Sequence, residues 1–186
     1  MPKISIIKDE LIHEGKFLKT IRRHFKTQSG KKGTWEMVQR KIFRRIIGVI
    51  GITENKEIII VKIYRIPVKS YVIEPVMGLT DKKGESEIKA VRRELLEETG
   101  YTAKKFIKLT VGPHNGGLSG SETALYCALG AKKIKEPNLE ISEDISVLKI
   151  PFSKIPNFLL HPPKGCKIDI KVFGLLYLLK SKGFID

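Results

Sequence analysis

Apolar residues along this chain recur at two periods. In the segment GESEIKAVRRELLEETGY, residues 84–101, Ile88, Val91, Leu95 and Leu96 follow helical spacing, which predicts an amphipathic helix with one apolar stripe. Ser86 or Gly84 stands where a cap is needed, Glu85 and Glu87 suit the positive end of the helix dipole, and Gly100 takes the position after the last turn. Elsewhere the pattern is that of strands. Residues 4–8 and 16–25 read as short strands, TQSGKKG as a turn, and TWEMVQRK as a strand pairing back on KFLKTIRRHF in a hairpin. IIGVIGIT and EIIIVKIYR are apolar strands divided by the turn Glu54-Asn55-Lys56, and SYVIEPVMG reads as one further strand. AKKFIKLTVG and ETALYCALGAKKI flank the glycine-rich PHNGGLSGS, and ISVLKIPF is a late strand. DIKVFGLLYLLKSKG closes the chain as a helix, with Asp169 at its start and Gly183 after it. The order of strands, helix, strands, helix predicts an α+β fold with a mixed sheet between helices.

The chain has 186 residues and a hydrophobic content of 41%, enough for one compact domain with a small appendage. No apolar run reaches the ~18 residues that span a bilayer, and MPKISIIKDE lacks the layout of a signal peptide. Cys127 and Cys166 are far apart and form no metal or redox motif, so buried thiols in a reducing, cytoplasmic setting are expected, with a disulfide between them as the alternative. The formal net charge is +15, but the 35 Lys and Arg are spread in pairs along the chain. No helix-turn-helix, zinc-ligand or RNP-like pattern accompanies them, so a dedicated nucleic-acid module is not expected; a basic surface would equally steer a polyphosphate to its site.

Against that charge, five glutamates in the eighteen residues 84–101 need a cause. Glu94, Glu97 and Glu98 stand at i, i+3 and i+4, on one helix face, where like charges repel. Either nearby Arg and Lys or a divalent cation must offset that repulsion, and hard cations such as Mg²⁺ prefer carboxylate oxygens. Arg93 can brace the cluster with its planar fork. Glu85 lies nine residues before Glu94, about 900° of rotation at ~100° per residue, hence on the opposite side if the helix is unbroken, so it reads as a helix-start residue or one that supports the ligands from behind.

The order Glu85, seven residues, then Arg93-Glu94-Leu95-Leu96-Glu97-Glu98-Thr99-Gly100-Tyr101 resembles the Nudix box, G-x5-E-x7-R-E-U-x-E-E-x-G-U with U bulky and apolar. One departure stands out. The leading glycine falls at Gly78, not at Leu79, so the loop 79–84 carries one extra residue. From about residue 14 to 180 the chain is similar to the ADP-ribose and ADP-sugar pyrophosphatases, through GKFLK, GTWEMVQR, VKIYRIPVKSYVIEPVMG, GGLSGSE and SEDISVLKIPFSKI. Ile63-Tyr64-Arg65 stands where a typical member has QYR, and Glu74-Pro75-Val76-Met77-Gly78 where it has E-L-P-A-G.

The resemblance implies a Nudix fold over residues 44–186, with an antiparallel β-hairpin region for dimerisation over residues 1–43. It implies Mg²⁺, or Mn²⁺, held by Glu94, Glu97, Glu98 and the carbonyl of Met77, with Arg93 bracing the carboxylates. Glu143 falls where the family carries a water-activating glutamate, and Glu140 and Asp144 are neighbours that can take that part instead. Arg65 and Arg40 would meet the diphosphate or the terminal ribose, or lie on the surface. Phe17 and Trp35 align with positions that clamp adenine, with hairpin packing as the rival role. Glu36 would accept from the adenine amino group, Glu74 would stand near the ribose or the metal, and Leu79 would border the substrate. The glycine-rich loop around residues 112–122 is expected to border the site. The implied activity is hydrolysis of ADP-ribose, or a related nucleoside diphosphate sugar, to AMP and a sugar phosphate by a homodimer. The rivals are dinucleoside polyphosphates or capped RNA as substrate, and a nucleotide or RNA sensor without catalysis.

Overall fold

The computed structural model describes residues 3–41, 45–80, 82–139 and 143–185. The chain forms two compact units, Met1–Arg45 with Gly112–Thr123, and Ile46–Val111 with Ala124–Asp186. The boundary expected at residues 43 and 44 lies outside the described residues.

The first unit is an antiparallel three-stranded sheet in the order β1 (Ile4–Glu14), β2 (Leu18–Thr27), β3 (Lys32–Arg40). β2 and β3 form the expected hairpin, with Arg23 opposite Trp35 and Ile21 opposite Met37. β1 runs well beyond the expected residue 8, and the reason is electrostatic. Its second half carries Asp9, Glu10 and Glu14 opposite the cations of β2: Arg23 donates twice to Asp9 at 2.8 Å, and His24 meets Glu10 at 2.8 Å. Cross-strand pairs of this kind extend a ladder that hydrophobic alternation does not announce. The glycine-rich segment joins this unit, with Val38 N–H donating to Leu118 O at 2.9 Å.

The second unit is built on a mixed sheet. It holds β4 (Ile46–Thr53), β5 (Glu57–Arg65), β6 (Ser70–Glu74), β7 (Val76–Leu79), β8 (Tyr101–Thr102), β9 (Lys105–Pro113), β10 (Glu122–Lys133), β11 (Ile145–Pro151) and β12 (Cys166–Ile168). Helices α1 (Glu87–Thr99), α2 (Ile155–Leu160) and α3 (Ile170–Ser181) complete it. The continuous run EIIIVKIYR is explained by burial of both faces of β5. Ile59 and Val61 pack with Ala90, Val91 and Leu95 of α1, while Ile58 and Ile60 pack with Val172, Leu176 and Leu179 of α3.

SYVIEPVMG is two strands. Pro75 has no N–H to give a ladder, and the chain changes partner there: β6 pairs with β5 and β12, and β7 pairs with β4. β8, α2 and β12 are too short to carry a readable period. Cys127 is buried, Cys166 is partly buried, and both are free thiols; burial pushes the Cys127 thiol up to about 12. Among the described residues no helix is long and apolar enough to cross a membrane.

The ends of α1 are fixed as expected. The Ser86 side chain accepts from Lys89 N–H, and Gly100 closes the helix at φ 74° with its N–H on Leu96 O. A Cβ at Gly100 would lie 2.0 Å from Lys135 O. Gly84 also has a positive φ, of 76°, but open space around it. Gly84→Ala is therefore expected to cost about 1 kcal/mol from backbone strain alone. Gly100→Ala adds a steric clash to the same strain and is expected to cost upwards of about 2 kcal/mol. Urea midpoints of the two variants check the difference, and equal shifts would refute the clash.

Candidate active site

Helix α1 carries the carboxylates because its other stripe is anchored: Ala90, Val91 and Leu95 are fully buried in the core. Glu94, Glu97 and Glu98 line a cavity of about 360 Å³ together with Met77, Leu79, Arg93 and Glu143. A second cavity, of about 250 Å³, shares Met77, Glu98 and Glu143 with the first and adds Tyr64, Arg65 and Pro67. The end of β5 and the residues just before β11 thus bring Arg65 and Glu143 to the carboxylates of α1.

Arg93 is the hub of the cluster. Its guanidinium donates to both oxygens of Glu85 at 3.0 Å, to Glu94 Oε1 at 2.8 Å, to Glu97 Oε2 at 3.0 Å and to Leu79 O at 3.2 Å. Glu85 is thus a helix-start residue that supports the carboxylates through Arg93, on their own side of the helix. Residue 85 precedes the helix, so helical rotation does not apply to it; a turn closed by Glu85 N–H on Lys82 O folds it back. The Glu85 bond, followed by those to Glu97 and Glu94, holds Arg93 above its ordinary range, and Arg93 in turn holds the Glu85 carboxyl below the usual value.

Glu98 is the opposite case. It is 5% exposed, and burial first, then the charges of Glu94, Glu143 and Glu74, push its carboxyl up to about 9, with Arg65 offsetting part of this. Glu74 is also buried and accepts from Arg65 Nη2. Among the described residues no three His, Cys, Asp or Glu already stand at metal-ligand spacing, since Arg93 draws Glu94 and Glu97 to itself. The donor set still fits a hard divalent cation: the carboxylates of Glu94, Glu97 and Glu98 line one cavity with Met77, and the buried Glu98 needs a nearby positive charge to ionise.

The three acids before β11 are separated by the structure. Glu143 lines both cavities. The Asp144 carboxylate accepts from Tyr71 OH at 2.5 Å instead. Glu140 lies outside the described residues. Lys82 and Asn138 also line the larger cavity. Lys82, 3.7 Å from Glu97 Oε1, belongs to the loop that carries the extra residue, and that insertion was the sequence signal for it.

The remaining predicted residues belong to the first unit. Trp35 is 55% exposed, its Nε1–H donates to Gly117 O at 3.0 Å, and it lines an apolar cavity of about 390 Å³ with Phe25, Ile6 and Met37. Phe17 is 69% exposed with Lys16 Nζ 5.1 Å from its ring centroid, so neither aromatic is packed in a core. Glu36 is bonded to Arg22 at 3.0 Å. Arg40 lines a cavity of about 240 Å³ with Arg23 and Gln39.

Comparison with protein-family profiles finds no match. Individual relatives do match. The ADP-ribose pyrophosphatase of Bacillus subtilis (strain 168) is 31% identical over 138 residues, 74% of this chain and 72% of that protein. The ADP-sugar pyrophosphatase of Mus musculus is 36% identical over 107 residues, 53% of this chain and 49% of that protein. Among solved structures, one described as an ADP compounds hydrolase superposes with a TM-score of 0.80 at 21% identity, covering 98% of this chain and 97% of that one. An arginine-braced carboxylate helix on a two-sided mixed sheet, and a relative matched over most of both lengths, agree: the chain belongs to the Nudix hydrolases.

Proposed function

We propose that this hydrolase cleaves the diphosphate of ADP-ribose, or of a related nucleoside diphosphate sugar, to AMP and a sugar phosphate, and that it needs a divalent cation to do so. The observation that carries this reading is the convergence of Glu94, Glu97, Glu98 and Glu143 on one cavity that continues to Arg65. Glu94, Glu97 and Glu98, with the Met77 carbonyl, would hold Mg²⁺ or Mn²⁺. When bound, such a cation lowers the pKa of water and neutralises charge on the diphosphate.

The protein's own groups do the rest. Arg65, oriented by buried Glu74, offers a planar fork to the phosphate oxygens. Glu143 takes the proton of the water that attacks phosphorus, and the bridging P–O bond breaks with the departing phosphate keeping its oxygen. Arg93 keeps Glu94 and Glu97 in place, with Glu97 poised for either cation binding or proton transfer. Leu79 borders the cavity through which the substrate enters. In the first unit, Trp35 and Phe17 offer flat faces for a base, Glu36 an acceptor for its amino group, and Arg40 a further cation for phosphate or ribose. A homodimer, which static light scattering reads directly, belongs to the same proposal.

Gly78 supports the assignment of the cavity. A Cβ there would lie 2.2 Å from Glu94 Cδ and 2.3 Å from its Oε1, so the backbone of β7 approaches the Glu94 carboxylate closely and any side chain at 78 would displace it.

A hydrolysis screen tests the proposal, with ADP-ribose, other nucleoside diphosphate sugars, diadenosine polyphosphates and capped RNA, each with and without Mg²⁺. Cleavage of ADP-ribose to AMP only with the cation is expected; cation-independent turnover would overturn the metal assignment. Glu98→Gln is expected to lower kcat roughly 10²-fold while the ion-free Tm holds or rises, because a buried amide needs no proton uptake on folding, as the Glu98 carboxyl does. Near-normal turnover in that variant would remove Glu98 from the site. Gly78→Ala should lower kcat about tenfold or more by shifting the Glu94 carboxylate, with a change in Tm smaller than that of Gly100→Ala. Trp35→Ala should raise KM about tenfold, as loss of one stacked base does, with kcat near wild type; a fall in Tm with KM unchanged would return Trp35 to a packing role.

A further inference from the structure

Asp144 and Glu143 are neighbours with different partners, and the structure shows what separates them. β11 starts at Ile145 opposite Ile63 of β5, and Tyr64 N–H carries the ladder one residue further by donating to Asp144 O at 3.2 Å. Side chains alternate along extended backbone, so fixing the direction of one of two adjacent residues fixes the other. Glu143 lines both cavities with Glu98, whereas the Asp144 carboxylate accepts from Tyr71 OH at 2.5 Å. Tyr71 stands on β6 opposite Tyr64. To reach Asp144 its side chain must therefore cross the β5 strand that lies between them.

The tyrosine is held for that reach from several sides. The Tyr64 and Tyr71 rings meet edge to face, with centroids 5.4 Å apart and planes at 76°. Lys62 Nζ stands 4.8 Å from the Tyr71 centroid. Cys166 of β12 is its register partner on the other side of β6. Three strands thus converge on one hydroxyl–carboxylate bond, next in sequence to the acid that faces the cavity. The Asp144 bond also raises the Tyr71 pKa above its ordinary value, so the phenol stays a donor through the neutral range.

We infer that the Tyr71–Asp144 hydrogen bond is a positioning device: it anchors the residue beside Glu143 and so aims the Glu143 carboxylate at the water it activates. This rests on the role proposed above for Glu143. Tyr71 and Asp144 touch neither substrate nor reacting atoms; they act through their neighbour.

The test compares Tyr71→Phe, Asp144→Asn and Glu143→Gln, alone and in combination, on whichever substrate the wild-type protein turns over. Tyr71→Phe keeps the ring and its contacts and removes only the hydroxyl. It should lower kcat about threefold to tenfold, the scale of one lost hydrogen bond, with KM and Tm close to wild type. Asp144→Asn retains a carbonyl acceptor for Tyr71 and should keep most of the turnover. In the Glu143→Gln background, Tyr71→Phe should cost nothing further, because the residue it positions is already disabled. Wild-type kcat in Tyr71→Phe beside a strongly impaired Glu143→Gln would overturn the inference and leave the Glu143 role standing. An equal loss from Tyr71→Phe in both backgrounds would overturn it too, since the tyrosine would then act elsewhere. Asp144→Asn as inactive as Glu143→Gln would make Asp144 itself the base. Wild-type turnover in Glu143→Gln would remove the Glu143 role, and the positioning argument with it.

Discussion

A carboxylate driven almost out of water among three others is the constraint around which the second unit is arranged. Glu98 cannot ionise cheaply where it sits, since burial and the charges of Glu94, Glu143 and Glu74 all oppose it. Two guanidinium groups keep the arrangement from flying apart. Arg93 takes Glu85, Glu94 and Glu97 together, and Arg65 takes Glu74. Burial and its acidic neighbours thus leave Glu98 where added positive charge would favour its ionisation. A hard cation would supply that charge, and on the proposed function the carboxylates are its binding site.

The rest of the unit serves that geometry. α1 can hold three glutamates on one face only because Val91 and Leu95 on the other are locked in the core, and because Ser86 and Gly100 fix where the helix begins and ends. The sheet delivers Arg65 and Glu143 from the ends of neighbouring strands, in register because Ile145 pairs with Ile63. Gly78 lets the backbone come close enough to meet Glu94. Each of these is a packing feature taken alone, and together they fix positions on the scale that chemistry at phosphorus requires.

How much of this was legible in the sequence depended on the range of the interaction. The helix, its caps and the cluster of glutamates were readable because spacing within one helix is local. The two-sided strand β5 was readable as a strand, and its second buried face followed once both cores were seen. Glu85 was readable as a residue at the helix start but not as the main partner of Arg93, because the turn at Lys82 that folds it back has no local signature. β1 ran past its expected end because ion pairs to β2 extended it, and Pro75 divided a strand whose composition looked continuous. The separation of Glu143 from Asp144 depended on Tyr71, over 70 residues away, and no local pattern encodes that.

The first unit raises a separate physical question, in the only tryptophan of the chain. Leaving so large an apolar ring more than half exposed forgoes burial that would stabilise the fold. The ring is nevertheless not loose, because its Nε1–H is fixed on the backbone carbonyl of Gly117 and it forms one wall of an apolar cavity with Phe25 and Met37. An aromatic face that is oriented but not covered suits a ligand that brings its own flat surface. On the proposed reading the base supplies that surface. On that reading the reaction would divide by chemistry: carboxylates and arginine would act on the diphosphate, while aromatic faces would choose what is attached to it. The carboxylate helix is the part a motif records, so the reaction class follows from it far more directly than the substrate, which would rest on side chains such as Trp35 that no single pattern fixes.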